Sequence, residues 1–177
     1  MPKYAFVPLD TKRHDRNAFS CGVPQVDNFF RSTANKLSKA DNIRVHVLET
    51  DSGEIIGFYA LNAHAVIYTD LPERFTKDRP RHGNILAVYL SMIGIDQKYQ
   101  SQGFGGAILA EALSKISAAA DTIGIKVVLL DILDCGNPDL VERRRALYLR
   151  YGFLPLPGQA LRYFIPIATV RLILEQG

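Results

Sequence analysis

Two cysteines in 177 residues, Cys21 and Cys135, are too few for a disulfide framework or a four-ligand zinc site. No Cys/His cluster has metal spacing either, so no metal is expected. No stretch approaches the roughly 18 uninterrupted apolar residues of a transmembrane helix, and the start, MPKYAFVPLD, lacks the apolar core of a signal peptide. These absences predict a cytoplasmic protein with no membrane partner. Internal repeats and low-complexity linkers are missing too, and the length suits one domain, 1–177, rather than two ordinary ones. With 47% hydrophobic and 22% charged residues, a disordered or collagen-like chain is excluded. The net charge of +3 is compatible with an anionic partner and proves none.

Apolar spacing then predicts the elements. A strand candidate at Tyr4–Val7 precedes a helix from Pro24, where Val26, Phe30, Thr33 and Leu37 recur at helical spacing. Ile43, Val45 and Val47 alternate with polar residues as in a half-buried strand, and Asp51-Ser52-Gly53 turns the chain into a second apolar run, Ile55–Val66. Residues 69–84 read as a polar, basic loop carrying Arg74, Lys77, Arg79 and Arg81. An apolar strand, Ala87–Ile95, leads through a glycine-containing turn at 99–106 into a helix from about Ala107 to Ala120. Lys126–Leu133 reads as a strand covered on both faces. Asn137-Pro138 starts a helix that should end at Tyr151, because Gly152 suits the left-handed position after a helix. A strand near Leu161–Pro166 and a short helix, Ala168–Leu174, close the chain. This order describes an α/β or α+β domain around one sheet.

The turn Gln100-Ser101-Gln102-Gly103-Phe104-Gly105-Gly106 joins a buried strand to an amphipathic helix. Glycine lets backbone approach a bulky anion, and the N–H groups of a helix start would face it, so a pyrophosphate is the candidate ligand. The segment fits neither the dinucleotide fingerprint GxGxxG nor the GK[ST] ending of an ATP-binding loop, since Ala107 follows Gly106. A turn that serves geometry alone is the other reading of these glycines.

Strand, then Gln-x-x-Gly-x-Gly (Gln100, Gly103, Gly105), then helix resembles the acetyl-CoA motif of the GNAT superfamily of N-acetyltransferases. Downstream, Ala146-Leu147-Tyr148-Leu149-Arg150-Tyr151-Gly152-Phe153 resembles that family's A-x-x-Y-x-x-x-G-F. Phe19-Ser20-Cys21-Gly22, Val26-Asp27-Asn28-Phe29, Gly57-Phe58-Tyr59-Ala60-Leu61 and the ending FIPIATVRLIL are similar to the toxin branch of bacterial type II toxin–antitoxin pairs. The resemblance implies a GNAT-like central twisted mixed sheet flanked by helices and splayed between its fourth and fifth strands. It implies acetyl-CoA as co-substrate, the α-amine of an aminoacyl-tRNA as acceptor, and a block of translation. A ribbon-helix-helix antitoxin is the implied partner, and a homodimer is compatible with it. Two positions depart from the pattern: the strand reads Leu90-Ser91-Met92-Ile93-Gly94-Ile95, without the branch's usual Arg, and Arg143 stands where many members carry Asn.

On this resemblance, Ile93 and Ile95 would offer backbone groups to pantetheine, with their side chains facing the core and Gly94 marking a bulge or splay. Residues Gln100, Ser101, Gln102, Gly103, Phe104, Gly105 and Gly106 would hold the pyrophosphate. Tyr148 is the expected general acid, because a phenol stays protonated at neutral pH and can donate to a departing thiolate; Leu147 and Tyr151 are assigned to the core. No general base is named: His46, His64 and His82 are scattered, and Asp131 and Asp134 flank a strand end. Lys77, Arg79, Arg81, Arg144 and Arg145 are candidate phosphate contacts, against a reading as a solvated loop and helix face. Two alternatives stand beside the toxin: a GNAT enzyme acting on a small amine or a protein N-terminus, and an inactive GNAT domain that only binds.

Overall fold

A computed structural model of the chain describes residues 3–81 and 83–177. Strand β1 (Tyr4–Pro8) is followed by one helical stretch, made of α1 (Pro24–Asn28), a π-helical turn (Phe29–Thr33) and α2 (Ala34–Lys39). Then come β2 (Arg44–Thr50), β3 (Ile55–Ile67), two 3-10 turns, β4 (Asn84–Ile95), a 3-10 turn (Gln97–Tyr99) and α3 (Phe104–Ala120). The chain closes with β5 (Val127–Asp131), α4 (Pro138–Arg150), β6 (Leu154–Pro155), β7 (Arg162–Pro166) and α5 (Ile167–Gln176). The strands form one seven-stranded mixed sheet in the order β1-β2-β3-β4-β5-β7-β6. Strands β4 and β5 are parallel, whereas β5–β7 and β6–β7 are antiparallel. The β4–β5 register runs from Ala87↔Val127 to Leu90↔Leu130 and stops there, although β4 continues to Ile95. This is the expected mixed α+β class, and the pairing stops where β5 itself ends, at Asp131.

The framework divides into two units, Met1–Asn62 with Ser91–Ala112, and Ala63–Leu90 with Leu113–Gly177. In the first, the core is aromatic. Phe58 on β3 stacks on Phe30 at 4.2 Å and meets Phe19 edge-on at 5.5 Å, and all three rings are buried. Gly94 belongs to this core: a Cβ there would lie 2.7 Å from Phe58 and 2.9 Å from Val26. The glycine is thus demanded by close packing. Gly57 on β3 similarly admits the Ile108 side chain of α3, 2.6 Å from where its Cβ would stand.

In the second unit, β5 is buried from Val127 to Leu130, as its unbroken apolar run predicts. Leu129, Phe164, Ile85 and Leu71 share one cluster there. Leu71 comes from the segment expected to be a plain basic loop. That segment is instead anchored: the Tyr68 N–H donates to Gly83 O at 3.1 Å, closing it at its neck, and Leu71 and Thr76 are buried beneath it. Strand β6 escaped the sequence reading because two residues carry no period.

Candidate functional site

The glycine turn lies in the first unit. Asp96, buried at the end of β4, fixes its approach: one carboxylate oxygen accepts the Lys98 N–H at 3.0 Å and the other the Ser20 N–H at 3.0 Å. Gln100 braces the turn rather than waiting open, since its amide Nε2 donates to Ile95 O at 3.0 Å and to Cys21 O at 2.9 Å. Gln102 does the same through Lys98 O at 3.0 Å. Ser101 and Gly103 take left-handed φ values of 62° and 85°. Gly103 O then accepts the Ala107 N–H at 3.3 Å. Helix α3 therefore begins at Phe104, three residues before the expected start, and Gly105 and Gly106 lie in its first turn. A helix's first N–H groups have no intrahelical acceptor and face whatever lies before them. Nothing stands within 4 Å of the Cβ position of Gly103. A glycine-bearing turn that opens a helix has the donor chemistry an anion such as a pyrophosphate would use.

Phe104 has a packing role, with its ring edge-on to Tyr4 at 5.4 Å and to Tyr99 at 6.0 Å. Ile93 and Ile95, expected to face the core, are only half-buried, while Gly94 between them is buried. Close packing around Gly94, rather than deep burial of the isoleucines, holds this end of β4.

Tyr148 sits on α4 in the second unit. The helix opens on an Asn137 cap, whose side chain accepts the N–H groups of Asp139 and Leu140, with Pro138 in the first turn. At its other end, Gly152 is left-handed at φ 93°. The Phe153 N–H donates to Tyr148 O at 3.1 Å and the Gly152 N–H to Leu149 O at 3.0 Å. This is a Schellman termination, in which the residue after the glycine packs back onto the last helical turn. Phe153 does so on Tyr148, with ring centroids 5.8 Å apart. The Tyr and Gly-Phe of the sequence motif are therefore one local device: the termination that requires Gly152 also seats the ring of Tyr148. Burial pushes the Tyr148 phenol up to about 12, with the Arg144 charge pulling weakly the other way. The Tyr148 phenol thus keeps its proton across the physiological pH range. Leu147 and Tyr151, the expected core residues, are only half-buried, so the helix turns Tyr148 inward more completely than either.

Arg144 and Arg145, the candidate phosphate contacts on α4, each have partners within the fold. Arg144 donates to Leu133 O at 3.2 Å; Arg145 donates to the Tyr163 hydroxyl at 2.8 Å and pairs with Glu142 at 3.1 Å. Both guanidiniums fasten α4 to the ends of β5 and β7. Of the loop cations, Arg79 lies 4.0 Å over the Tyr68 ring and donates to Thr76 O, whereas Lys77 and Arg81 are exposed. A cavity of about 250 Å³ opens under this loop, lined by Phe75, Arg79, Ile85 and Lys126 among others. It lies at the start of β4 and β5, away from Leu90 and Leu130 where their pairing ends.

One cluster went unread in the sequence. Arg162 grips Asp131 with two hydrogen bonds of 2.7 and 2.8 Å, and the Tyr89 hydroxyl donates to the same carboxylate at 2.7 Å. The His64 ring stands 5.4 Å from Tyr89. Only the β5–β7 register, which pairs Asp131 with Arg162, could have signalled it. Arg162 holds the Asp131 carboxyl below the usual carboxylate range against the opposing effect of burial, with Tyr89 assisting. Of the other histidines, His46 stacks on Tyr59 at 5.0 Å, and His82 lies outside the described residues. Among the described residues no group of His, Cys, Asp and Glu could hold a metal ion, and no helix is long and apolar enough to cross a membrane.

A family model described as an acetyltransferase (GNAT) domain matches residues 41–155. The chain is 58% identical over 168 residues to "Probable toxin TacT" of Sinorhizobium fredii (strain NBRC 101917 / NGR234), covering 94% of this chain and 93% of that protein. It is 28% identical over 160 residues, 90% of each chain, to the "tRNA-acetylating toxin" of Mycobacterium tuberculosis (strain ATCC 25618 / H37Rv). Among solved structures, AtaT complexed with acetyl-methionyl-tRNAfMet superposes with a TM-score of 0.84 at 22% identity, over 97% of this chain and 99% of that one. A tyrosine-to-phenylalanine mutant of AtaT, bound to acetyl-CoA and to the C-terminus of the antitoxin AtaR, superposes at 0.78 with 20% identity, over 97% and 98%.

Proposed function

The chain belongs to the GNAT family of acetyltransferases, and from that premise we propose that it is a toxin that acetylates the α-amine of aminoacyl-tRNA in the cytoplasm and so stops translation. The observation that carries this reading is the 58% identity to a probable toxin along almost the whole of both chains. The tRNA-acetylating activity named for the mycobacterial relative supplies the acceptor class. The antitoxin whose C-terminus is bound to AtaT supplies the partner class, and the sequence resemblance adds that this partner would be a ribbon-helix-helix protein.

Acetyl-CoA, when bound, supplies the acetyl group as a thioester. The 100–106 turn would hold its pyrophosphate on the N–H groups that open α3, while Ile93 and Ile95 offer backbone groups from β4. Tyr148 would give its phenolic proton to the departing sulfur, and burial keeps that proton in place until it is needed. Arg144 and Arg145 hold the helix that carries it. Lys77 and Arg81, exposed on an anchored loop, would meet the tRNA backbone.

The test is direct. Purified protein with acetyl-CoA and aminoacylated tRNA should yield N-acetyl-aminoacyl adducts by mass spectrometry. Induced expression should arrest growth, and a co-expressed antitoxin should relieve the arrest. Acetylation of spermidine or an aminoglycoside with charged tRNA untouched would replace the tRNA reading with the small-amine one.

A further inference from the structure

The two faces of the sheet in the second unit carry different sets of groups. Side chains alternate along a strand, so Leu129 and Asp131 of β5 share a face with Phe164 and Arg162, their partners on β7. Tyr89, opposite Leu129 on β4, reaches Asp131 on that same face, and His64 of β3 lies beside Tyr89. Tyr163 points the other way, and its hydroxyl accepts from Arg145 of α4. Helix α4, bearing Tyr148, therefore covers one face, and the His64, Tyr89, Asp131 and Arg162 cluster occupies the opposite one. Asp131 lies one residue beyond Leu130, the last position of β5 paired with β4, and Arg162 of β7 pairs with it; both remain about one-third exposed.

Acyl transfer brings the nucleophile in on one side of the carbonyl while the leaving group is protonated from another. With the acid on the α4 face, the amine has the opposite face to use. We propose that the His64, Tyr89, Asp131 and Arg162 cluster is the acceptor-amine site, and that His64 takes the proton from the incoming ammonium. The proposal rests on the acetyl-transfer reading above.

Each member has one workable role. Asp131 accepts three hydrogen bonds and is held below the usual carboxylate range, first by Arg162, so it stays anionic, fixes Tyr89 and Arg162 in place, and does not take the ammonium's proton. Tyr89 is pushed up to about 12 by burial and then by its bond to Asp131, which makes it a donor and not a base. Arg162 has no proton to give up near neutrality. A neutral imidazole keeps one ring nitrogen as a proton acceptor, and half-buried His64, beside Tyr89, is open to an acceptor from solvent. The groups facing it are Tyr89 from β4, Asp131 from β5 and, beyond them, Arg162 from β7.

In the step, an N–H bond of the ammonium breaks and its proton passes to His64. The freed electron pair forms the C–N bond to the thioester carbonyl as the C–S bond breaks. The sulfur keeps that bond's electrons and takes the Tyr148 proton; the surplus proton of the new amide nitrogen returns to Tyr148 through water, and the His64 proton leaves to solvent.

The experiment is His64→Ala, assayed with charged tRNA from pH 6 to 9. At pH 7, kcat/KM should fall by about 10²-fold or more, the scale of general-base catalysis. Acetyl-CoA affinity and Tm should be unchanged. The deficit should shrink as pH rises past the amine's own pKa, because a neutral amine needs no base, and added imidazole should restore at least about tenfold. Activity within threefold of wild type at pH 7, or a deficit that neither pH nor imidazole alters, would overturn the assignment. If wild type acetylates spermidine but not charged tRNA, the tRNA reading fails, and the same series run with spermidine still decides His64.

Discussion

Gly94→Ala separates a packing glycine from a ligand-binding one. The new methyl would stand 2.7 Å from Phe58 Cε1, 2.9 Å from Val26 Cγ1 and 3.3 Å from Phe19 Cζ. None of these can step aside cheaply. The Phe58 ring is buried, stacked on Phe30 at 4.2 Å and crossed by Phe19 at 5.5 Å, so moving it moves the aromatic core. Overpacking of this kind costs about 1–3 kcal/mol. The alanine regains about 0.4–1 kcal/mol by restricting the unfolded chain, which at mid-range leaves a net loss of about 1.3 kcal/mol. For a chain of this length that lowers Tm by about 3–5 °C, measurable by calorimetry. Gly124→Ala is the control, since nothing lies within 4 Å of its Cβ position and its φ is ordinary; it should be neutral or slightly stabilising. A Gly94→Ala Tm within 1 °C of wild type, accompanied by lost acetyl-CoA binding, would refute the packing argument and restore a ligand-edge role for this glycine.

Three further outcomes are expected. Tyr148→Phe keeps the ring on Phe153 and should leave Tm and acetyl-CoA affinity intact while lowering kcat by about 10²–10⁴-fold, or about 2.7–5.5 kcal/mol of barrier. Because burial holds the phenol near 12, the wild-type rate should show no loss from Tyr148 ionisation up to about pH 10, where an ordinary phenol is half ionised. Gly105→Arg, in the first turn of α3, should retain the fold by circular dichroism and lose most acetyl-CoA affinity by calorimetry; unchanged affinity would remove the pyrophosphate assignment. Lys77→Glu with Arg81→Glu should raise KM for charged tRNA and flatten its salt dependence, each lost phosphate contact removing about 0.7–0.9 from the log–log slope. Unaltered tRNA kinetics would make the loop a solvated surface.

Local physics made much of this protein legible in advance. Asn137 and Pro138 start α4 because a side-chain acceptor and a fixed φ act within one turn, and Gly152 ends it because a left-handed residue is needed there whatever lies beyond. The glycine turn, the unbroken apolar run of β5 and the spacing from Tyr148 to Phe153 are equally local, and the family resemblance rests on such segments. Tertiary structure decided what depends on residues far apart in the chain. The neighbours of Gly94 come from residues 19, 26 and 58, so its packing role could not be read from β4 alone. Arg145 reads as a free cation until β7 brings Tyr163 to it, and the basic loop reads as loose until Leu71 is buried under it. Asp131 and Arg162, thirty-one positions apart, become one ion pair only through the β5–β7 register. Sequence set the turns and caps because their hydrogen bonds span a few residues; which side chains were used in packing, and which were left for chemistry, was settled by contacts that exist only after the sheet has formed.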